Sequence, residues 1–214
     1  FASEIGYHGC PNVSSLERFL SPGSRWPWQE NAEWRAHAAD QVPEGGRYRY
    51  RIKLMADQIG ELFGTVPEGL EEFVLASQAS QAEAKKYFIE SFRIRKWRRT
   101  GIIWWNVLDC WPQFSDAVVD YYFSRKLAYW YIRRSQLPFC IAVDEPQSRH
   151  CAVVACNDTL AEARGTFTVT DAESGRTLLD GELRAPANES AHLGRIRVSH
   201  GEHRLLLVRW DTTP

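Results

Sequence analysis

The sequence predicts an α/β segment followed by an all-β segment, and three features lead there. A short β-rich run opens the chain at Phe1–Gly6 and a second lies at Gly101–Val107, with long stretches of helical periodicity between them. After Pro138 the helical period disappears, and short alternating runs separated by turn residues take over. The change near Leu137 divides the chain into two expected domains, residues 1–136 and 137–214.

Within the first segment, a Cys10-Pro11-Asn12 turn follows the opening strand, and Ser14 with Glu17 three residues on has the form of a capping box. Ser21-Pro22-Gly23 breaks that helix, a polar helix is expected from Trp28 to Asp40, and Pro43-Glu44-Gly45-Gly46 breaks the chain again. From Tyr48, Ile52, Met55, Ile59 and Leu62 recur at helical spacing up to Gly64. Pro67 suits the start of a further helix. Leu70, Phe73, Val74, Tyr87, Phe88 and Phe92 mark faces of one long or once-broken helical region reaching about Trp97. The basic run Arg95-Lys96-Trp97-Arg98-Arg99 reads as cations complementing the carbonyl end of that helix. Gly101–Val107 has the apolar, β-rich character of a strand buried on both faces of a parallel sheet, and a helix from about Arg125 to Arg134 follows. Beyond Pro138, strands are expected over Cys140–Val143, His150–Cys156, Thr166–Thr170, Thr177–Leu183, His192–Val198 and Arg204–Trp210, forming a small antiparallel sandwich.

Charge excludes some functions. Lys plus Arg number 26 against 27 Asp plus Glu, a formal net charge of -1, so no global field recruits nucleic acid or an anionic membrane. No apolar run approaches the roughly 20 residues of a membrane span. The five cysteines are spread without the close spacing of zinc or redox sites and read as mostly reduced thiols. Cys151 and Cys156, five apart on an expected strand, point to opposite faces. His200-Gly201-Glu202-His203 reads as a solvated turn, and neither a metal nor a cofactor is implied. Phe1 opens directly on a strand end without an initiator Met, so the sequence reads as a piece of something longer.

Two strand ends carry the chemistry. One bears Glu4 just before Gly6; the other bears Trp104-Trp105-Asn106 with Asp109 shortly after. If both strands belong to a β/α barrel, their C-terminal ends lie on the face where such barrels place active sites. A carboxylate to attack an anomeric carbon and an aromatic platform to hold a sugar ring are what retaining glycoside hydrolysis requires. On residue type alone, a Glu near a strand end is more often a solvated surface group.

Phe1-Ala2-Ser3-Glu4-Ile5-Gly6-Tyr7 resembles the Ser-Glu-Phe-Gly or Ser-Glu-Tyr-Gly nucleophile strand of glycoside hydrolase family 2, in its β-mannosidase branch. Glu72 to Gln78 and Gln81-Ala82-Glu83 are similar to the helix leaving that family's seventh barrel unit. Gly101 to Pro112, with Val119-Asp120-Tyr121-Tyr122 and Lys126, resembles its eighth strand and exit, typically Trp-Gln-Leu-Asn-Asp-x-Trp-Pro and then Asp-Tyr-Tyr. The resemblance implies the C-terminal portion of such an enzyme: the last two β/α units of a TIM-type barrel, followed by an immunoglobulin-like sandwich. It further implies that Glu4 is the nucleophile of a retaining exo-β-glycosidase acting on a β-linked glycoside, and that Trp105 walls the sugar subsite. Asn106 stands where the family has Gln and Leu108 where it has Asn, so sugar hydroxyl contacts or loop anchoring near this strand are expected to differ; Tyr7-His8 stands where Phe-Gln is common, and between touching substrate and filling a polar niche His8 is read as filling the niche. Asp109 is open between a substrate contact and a loop anchor. The family's acid/base carboxyl comes from an earlier strand, so this polypeptide alone is expected to be inactive. The rest of a parent polypeptide, or another copy, is expected to cover the open barrel edge. β-Galactoside, β-glucuronide and β-glucosaminide activities, or a non-catalytic carbohydrate-binding or structural module, are the alternatives.

Overall fold

Strand β1 (Ala2–Gly6) pairs in parallel with β2 (Ile102–Trp105), with Ile5 opposite Trp104 and Gly6 opposite Trp105. Parallel neighbours require a long crossover, and here it contains helices α1 (Val13–Phe19), α2 (Ala32–Ala36), α3 (Arg51–Phe63) and α4 (Leu70–Ile94). Helix α5 (Leu127–Ser135) follows β2. The structure, a computed structural model, describes residues 1–39, 51–199, 201 and 203–213. The expectations resting on Asp40, Pro43–Gly46, Tyr48, His200 and Glu202 lie outside the described residues.

The chain forms two units, one of Ala2–Phe88 with Ile102–Arg133, the other of Phe1, Ile89–Gly101 and Arg134–Pro214. In the first, Leu16 and Leu20, Ile52, Met55 and Ile59 of α3, and Phe73 of α4 are buried together with Trp34 and Phe114. Trp34 stacks on Phe114 with ring centroids 4.4 Å apart. Three of the four apolar positions read from the helical period of α3 are therefore core. The capping expectation fails in detail: α1 starts one residue before Ser14, and its N-cap is Asn12, whose side chain makes no cap bond. The Asn12 amide is used elsewhere, accepting from Gln78 Nε2 at 2.9 Å and donating to the Arg125 carbonyl at 3.2 Å. The polar helix expected over Trp28–Asp40 shortens to α2, which Asn31 does cap through Glu33 and Trp34 N–H groups.

Strand β2 departs from its expected burial on both faces. Ile103 is 51% and Trp105 49% exposed, because β1 is its sole sheet neighbour among the described residues.

The second unit contains every strand expected after Pro138. Sheet β3-β4-β7 comprises Phe139–Val143, His150–Asn157 and Ser190–Arg197; sheet β6-β5-β8 comprises Thr177–Ala185, Ala163–Asp171 and Leu206–Thr213. Ile141, Val153 and Ile196 from one sheet share a core with Phe167, Val169 and Leu183 from the other, as in a sandwich. Cys151 and Cys156 do lie on opposite faces; Cys156 sits with Cys140, its cross-strand partner in the register. The basic run lies just beyond the end of α4; within it Arg95 pairs with Asp144 at 3.1 Å and Lys96 with Asp158, which Arg93 of α4 also reaches at 2.9 Å.

At Gly165 of β5 the backbone of β8 approaches so closely that a Cβ would fall 1.8 Å from the Asp211 carbonyl oxygen. At Gly181 of β6 the nearest atom to a Cβ would be Phe167 Cε1 at 3.7 Å, an ordinary contact. Gly165→Ala should therefore lower stability by about 1–3 kcal/mol, whereas Gly181→Ala should be close to neutral. Urea denaturation followed by circular dichroism checks both; equal midpoints for the two variants would contradict this packing.

Candidate active site

The parallel pairing of β1 and β2 sets their C-terminal ends side by side, and a cavity of about 720 Å³ lies there. Its wall brings together Glu4, Trp105 and Asn106, three of the four residues singled out in the sequence. Asp109 is not in that wall. It is buried and accepts hydrogen bonds from Gln113 Nε2 and Ser115 Oγ, both at 2.6 Å, inside the loop that follows β2.

Glu4 is held in an unusual way. The β1–β2 register shifts between Ala2 and Ile5, and Glu4 in that irregular stretch has φ 56°, in the left-handed region. A non-glycine residue there carries strain on the order of 1–2 kcal/mol. A bulge of this kind re-aims a side chain out of the strand's alternation. Glu4 is exposed and has no hydrogen-bond or ion-pair partner among the described residues.

The loops carrying these groups are clamped from behind by one face of α4. Ser77 Oγ accepts from Cys10 N–H at 3.0 Å, and Gln78 Nε2 donates to the Cys10 carbonyl at 3.1 Å. Gln81 Nε2 reaches the Tyr7 carbonyl at 3.0 Å and the Asp116 carbonyl at 3.1 Å, bridging the loops after both strands. Gly9 is needed for this approach, since a Cβ would fall 2.2 Å from Gln81 Oε1. Lys85 Nζ donates to the Trp105 carbonyl, and Lys126 Nζ to the Gly9 carbonyl at 2.7 Å.

Both lysines are fully buried. Burial lowers Lys126, countered by Asp109, Cys10, Asp120 and Asp116 around it. Burial likewise lowers Lys85 to about 8, with Asp116 opposing and Lys126 adding to the effect. Asp109 moves up, because burial outweighs the charge of Lys126 and its two hydrogen bonds. Asp116 moves the other way. Burial alone would raise it, yet the 2.6 Å hydrogen bond from His8 Nδ1, the charge of His8 and those of Lys85 and Arg51 hold its carboxyl below the ordinary range.

Sequence reasoning did not find the His8–Asp116 pair, Gln58 of α3 or the clamp on α4. The signal for the clamp was present: Ser77, Gln81 and Lys85 recur four residues apart along one face of a helix whose other positions fill a core. His8 was noticed as a departure from the family pattern and read as filling a polar niche. Asp116 carries no local signal, because its partner His8 is 108 residues away, and Gln58 reads as one more polar position of α3.

No protein-family model matches the chain. Beta-mannosidase B of Thermothelomyces thermophilus is 29% identical over 170 residues, which are 72% of this chain and 18% of that protein. Beta-mannosidase B of Aspergillus niger is 29% identical over 152 residues, 67% of this chain and 16% of its own length. The solved β-D-mannosidase of Dictyoglomus thermophilum superposes with a TM-score of 0.81 and 25% identity, over 99% of this chain and 25% of that one. An exo-chitosanase of Amycolatopsis orientalis gives a TM-score of 0.72 over 99% of the chain and 27% of its own, and at 20% identity shares the fold alone. These likenesses are consistent with the C-terminal portion of a family 2 glycoside hydrolase, the class that the sequence motifs resemble. Within it the resemblance is to the β-mannosidases. The chain spans under a fifth of the length of these curated relatives.

The buried Lys85 makes a testable statement about pH. Its folded value of about 8 lies below its ordinary value of 10.5, so between these limits the unfolded chain holds more protons and stability rises with pH. From about pH 7 to 10, urea unfolding should show wild type gaining on the order of 1–3 kcal/mol relative to Lys85→Met. A difference that stays flat over this range would mean that Lys85 titrates as it does in water.

Proposed function

We propose that this chain supplies the nucleophile half of the active site of a retaining exo-β-glycosidase that acts on β-mannosides. The observation that carries the reading is Glu4: a free carboxylate, set at φ 56° in an irregular stretch of β1, lining the same cavity as the half-exposed Trp105. In this reading β1 and β2 are the last two strands of a TIM-type barrel, residues 1–136 complete that barrel, and residues 137–214 form an immunoglobulin-like sandwich. The apolar side chains that β2 exposes, Ile103 and Trp105, then face the remaining barrel of a longer polypeptide or another copy.

Glu4 attacks the anomeric carbon and forms a glycosyl ester, which water hydrolyses with retention. Trp105 provides the apolar platform for the sugar ring, Asn106 a polar contact beside it, and Asp109 the anchor that fixes the loop. A retaining enzyme also needs an acid/base carboxyl about 5–5.5 Å from the nucleophile. Among the described residues the cavity wall offers one other carboxylate, Asp116. It is tied to His8 and held below the ordinary range, the wrong direction for a general acid at neutral pH. The acid/base is therefore assigned to a part of the full-length protein outside these 214 residues, and the chain alone is expected to be inactive.

In the full-length protein, Glu4→Gln should fold and lose nearly all turnover, at least 10³-fold in kcat, since an amide keeps the shape of the carboxylate without its nucleophilicity. Mass spectrometry after treatment with a 2-fluoro-2-deoxy-β-mannosyl fluoride should find the sugar on the peptide containing Glu4. An active enzyme labelled on a different carboxylate, or forming product of inverted configuration, would sink the assignment.

Trp105→Ala removes a platform used by ground state and transition state alike. The expected outcome is a raised KM with a smaller loss of kcat and unchanged stereochemistry. Steady-state kinetics with NMR of the first-formed anomer read this out, and an unaltered KM would remove Trp105 from the subsite.

A further inference from the structure

Three residues in the wall of the cavity that holds Glu4 each carry a buried polar atom without a hydrogen-bond partner among the described residues: His8 Nε2, Gln58 Oε1 and Asn106 Oδ1. They come from three elements, the turn after β1, helix α3 and the end of β2. Leaving one such atom unpaired in an interior is costly, and three in the wall of one cavity point to a ligand that pairs with them.

His8 is the most constrained of the three. Its side chain is 2% exposed, and Nδ1 lies 2.6 Å from Asp116 Oδ1, which fixes the ring and leaves Nε2 as the one ring nitrogen without a partner. Asp116 is itself seated against Gly6, where a Cβ would fall 2.5 Å from Asp116 Oδ2. Orientation thus passes from the backbone of β1 to Asp116 and on to His8. The chemistry of the free atoms narrows the ligand. A ring nitrogen donates or accepts according to its tautomer, and Gln58 Oε1 only accepts. A hydroxyl group serves both; a carboxylate or phosphate oxygen cannot donate to Gln58 Oε1, and an apolar ligand would leave both atoms unpaired.

We propose that His8, oriented by Asp116, and Gln58 contact hydroxyl groups of the sugar bound beside Glu4 and set which sugar the site accepts. The assignment rests on the glycosidase reading and goes beyond it, because His8 stands where the family pattern has Gln. Asp116 is a positioning residue in this scheme and does not touch the sugar. A site built to hydrogen-bond a hydroxyl discriminates strongly against an analogue that lacks it.

The test uses the full-length protein, p-nitrophenyl β-D-mannopyranoside and its four monodeoxy analogues, with wild type, His8→Ala, His8→Gln and Gln58→Ala. Wild type should lose activity on at least one deoxy sugar. His8→Ala should lower kcat/KM on the parent sugar on the order of 10-fold, mainly through KM. It should then show no further loss on one of the deoxy sugars that wild type rejects. His8→Gln should recover part of the lost affinity, and Gln58→Ala should erase the penalty at its own hydroxyl. Circular dichroism establishes folding, and if His8→Ala does not fold, His8→Gln and Gln58→Ala carry the comparison. Variants within twofold of wild type on the parent sugar, or deoxy penalties that simply add to the mutational loss, would overturn the contact and leave the glycosidase reading intact. A wild-type protein that cleaves none of the β-manno, β-galacto, β-gluco, β-glucuronic or β-glucosamine p-nitrophenyl glycosides would sink that reading and this assignment together.

Discussion

Two buried ammonium groups hold the candidate site in place. Lys126 and Lys85 have no exposed surface, and each spends its charge on a main-chain carbonyl, Gly9 in the turn after β1 and Trp105 at the end of β2. An isolated cation in a protein interior costs several kcal/mol, so these two persist only because carboxylates share the space. Asp109, Asp116 and Asp120 supply that charge, and Asp109 and Asp120 are themselves buried. Each group makes the others tolerable. The ends of two strands far apart in sequence are thereby fixed against one charged interior.

Helix α4 turns this interior into a rigid mount. Its polar face reads Ser77, Gln78, Gln81 and Lys85, and each of these side chains reaches a loop leaving β1 or β2. Gln81 alone bridges both loops. Two glycines, one ending β1 and one in the turn after it, follow from the same geometry: Gly9 admits Gln81, and Gly6 admits the Asp116 carboxylate. Neither glycine has a positive φ; the constraint is space and not backbone conformation, which is why no turn rule would have flagged them.

Much of the fold was legible in the sequence, and for a physical reason. The six strands after Pro138 announce themselves because alternation and turn chemistry are local, and Ile52, Met55 and Ile59 do so because one helix face meets one core. Boundaries were less legible. Asn12 and not Ser14 occupies the N-cap position of α1, and distant partners, Gln78 and Arg125, draw the Asn12 side chain away from a cap bond. Burial of β2 was misjudged because an apolar run records what a strand is suited to pack against, and among the described residues only β1 pairs with it. In the site, Glu4, Trp105 and Asn106 were visible as motif residues and do line one cavity. The pairing of His8 with Asp116 was not, since a pair 108 residues apart leaves no spacing to read.

The cavity wall divides into two kinds of group, and the division bears on how such a site would work. Among the described residues, Glu4 and Trp105 are open to solvent and free of side-chain partners, whereas His8 and the clamp behind it are buried and Asp116 is partly buried, all of them held by hydrogen bonds or ion pairs. A nucleophile that must form and release a covalent bond cannot be locked into a salt bridge without losing reactivity, and a platform must accept a ring that comes and goes. Recognition of hydroxyl groups asks for the opposite, donors and acceptors whose positions are settled before the ligand arrives. Strain concentrated at Glu4, with rigidity in the surrounding loops, meets both demands. The left-handed backbone at Glu4 takes the side chain out of the strand's alternation, while Lys85 bonds the end of the neighbouring strand β2 and Lys126 the turn after β1.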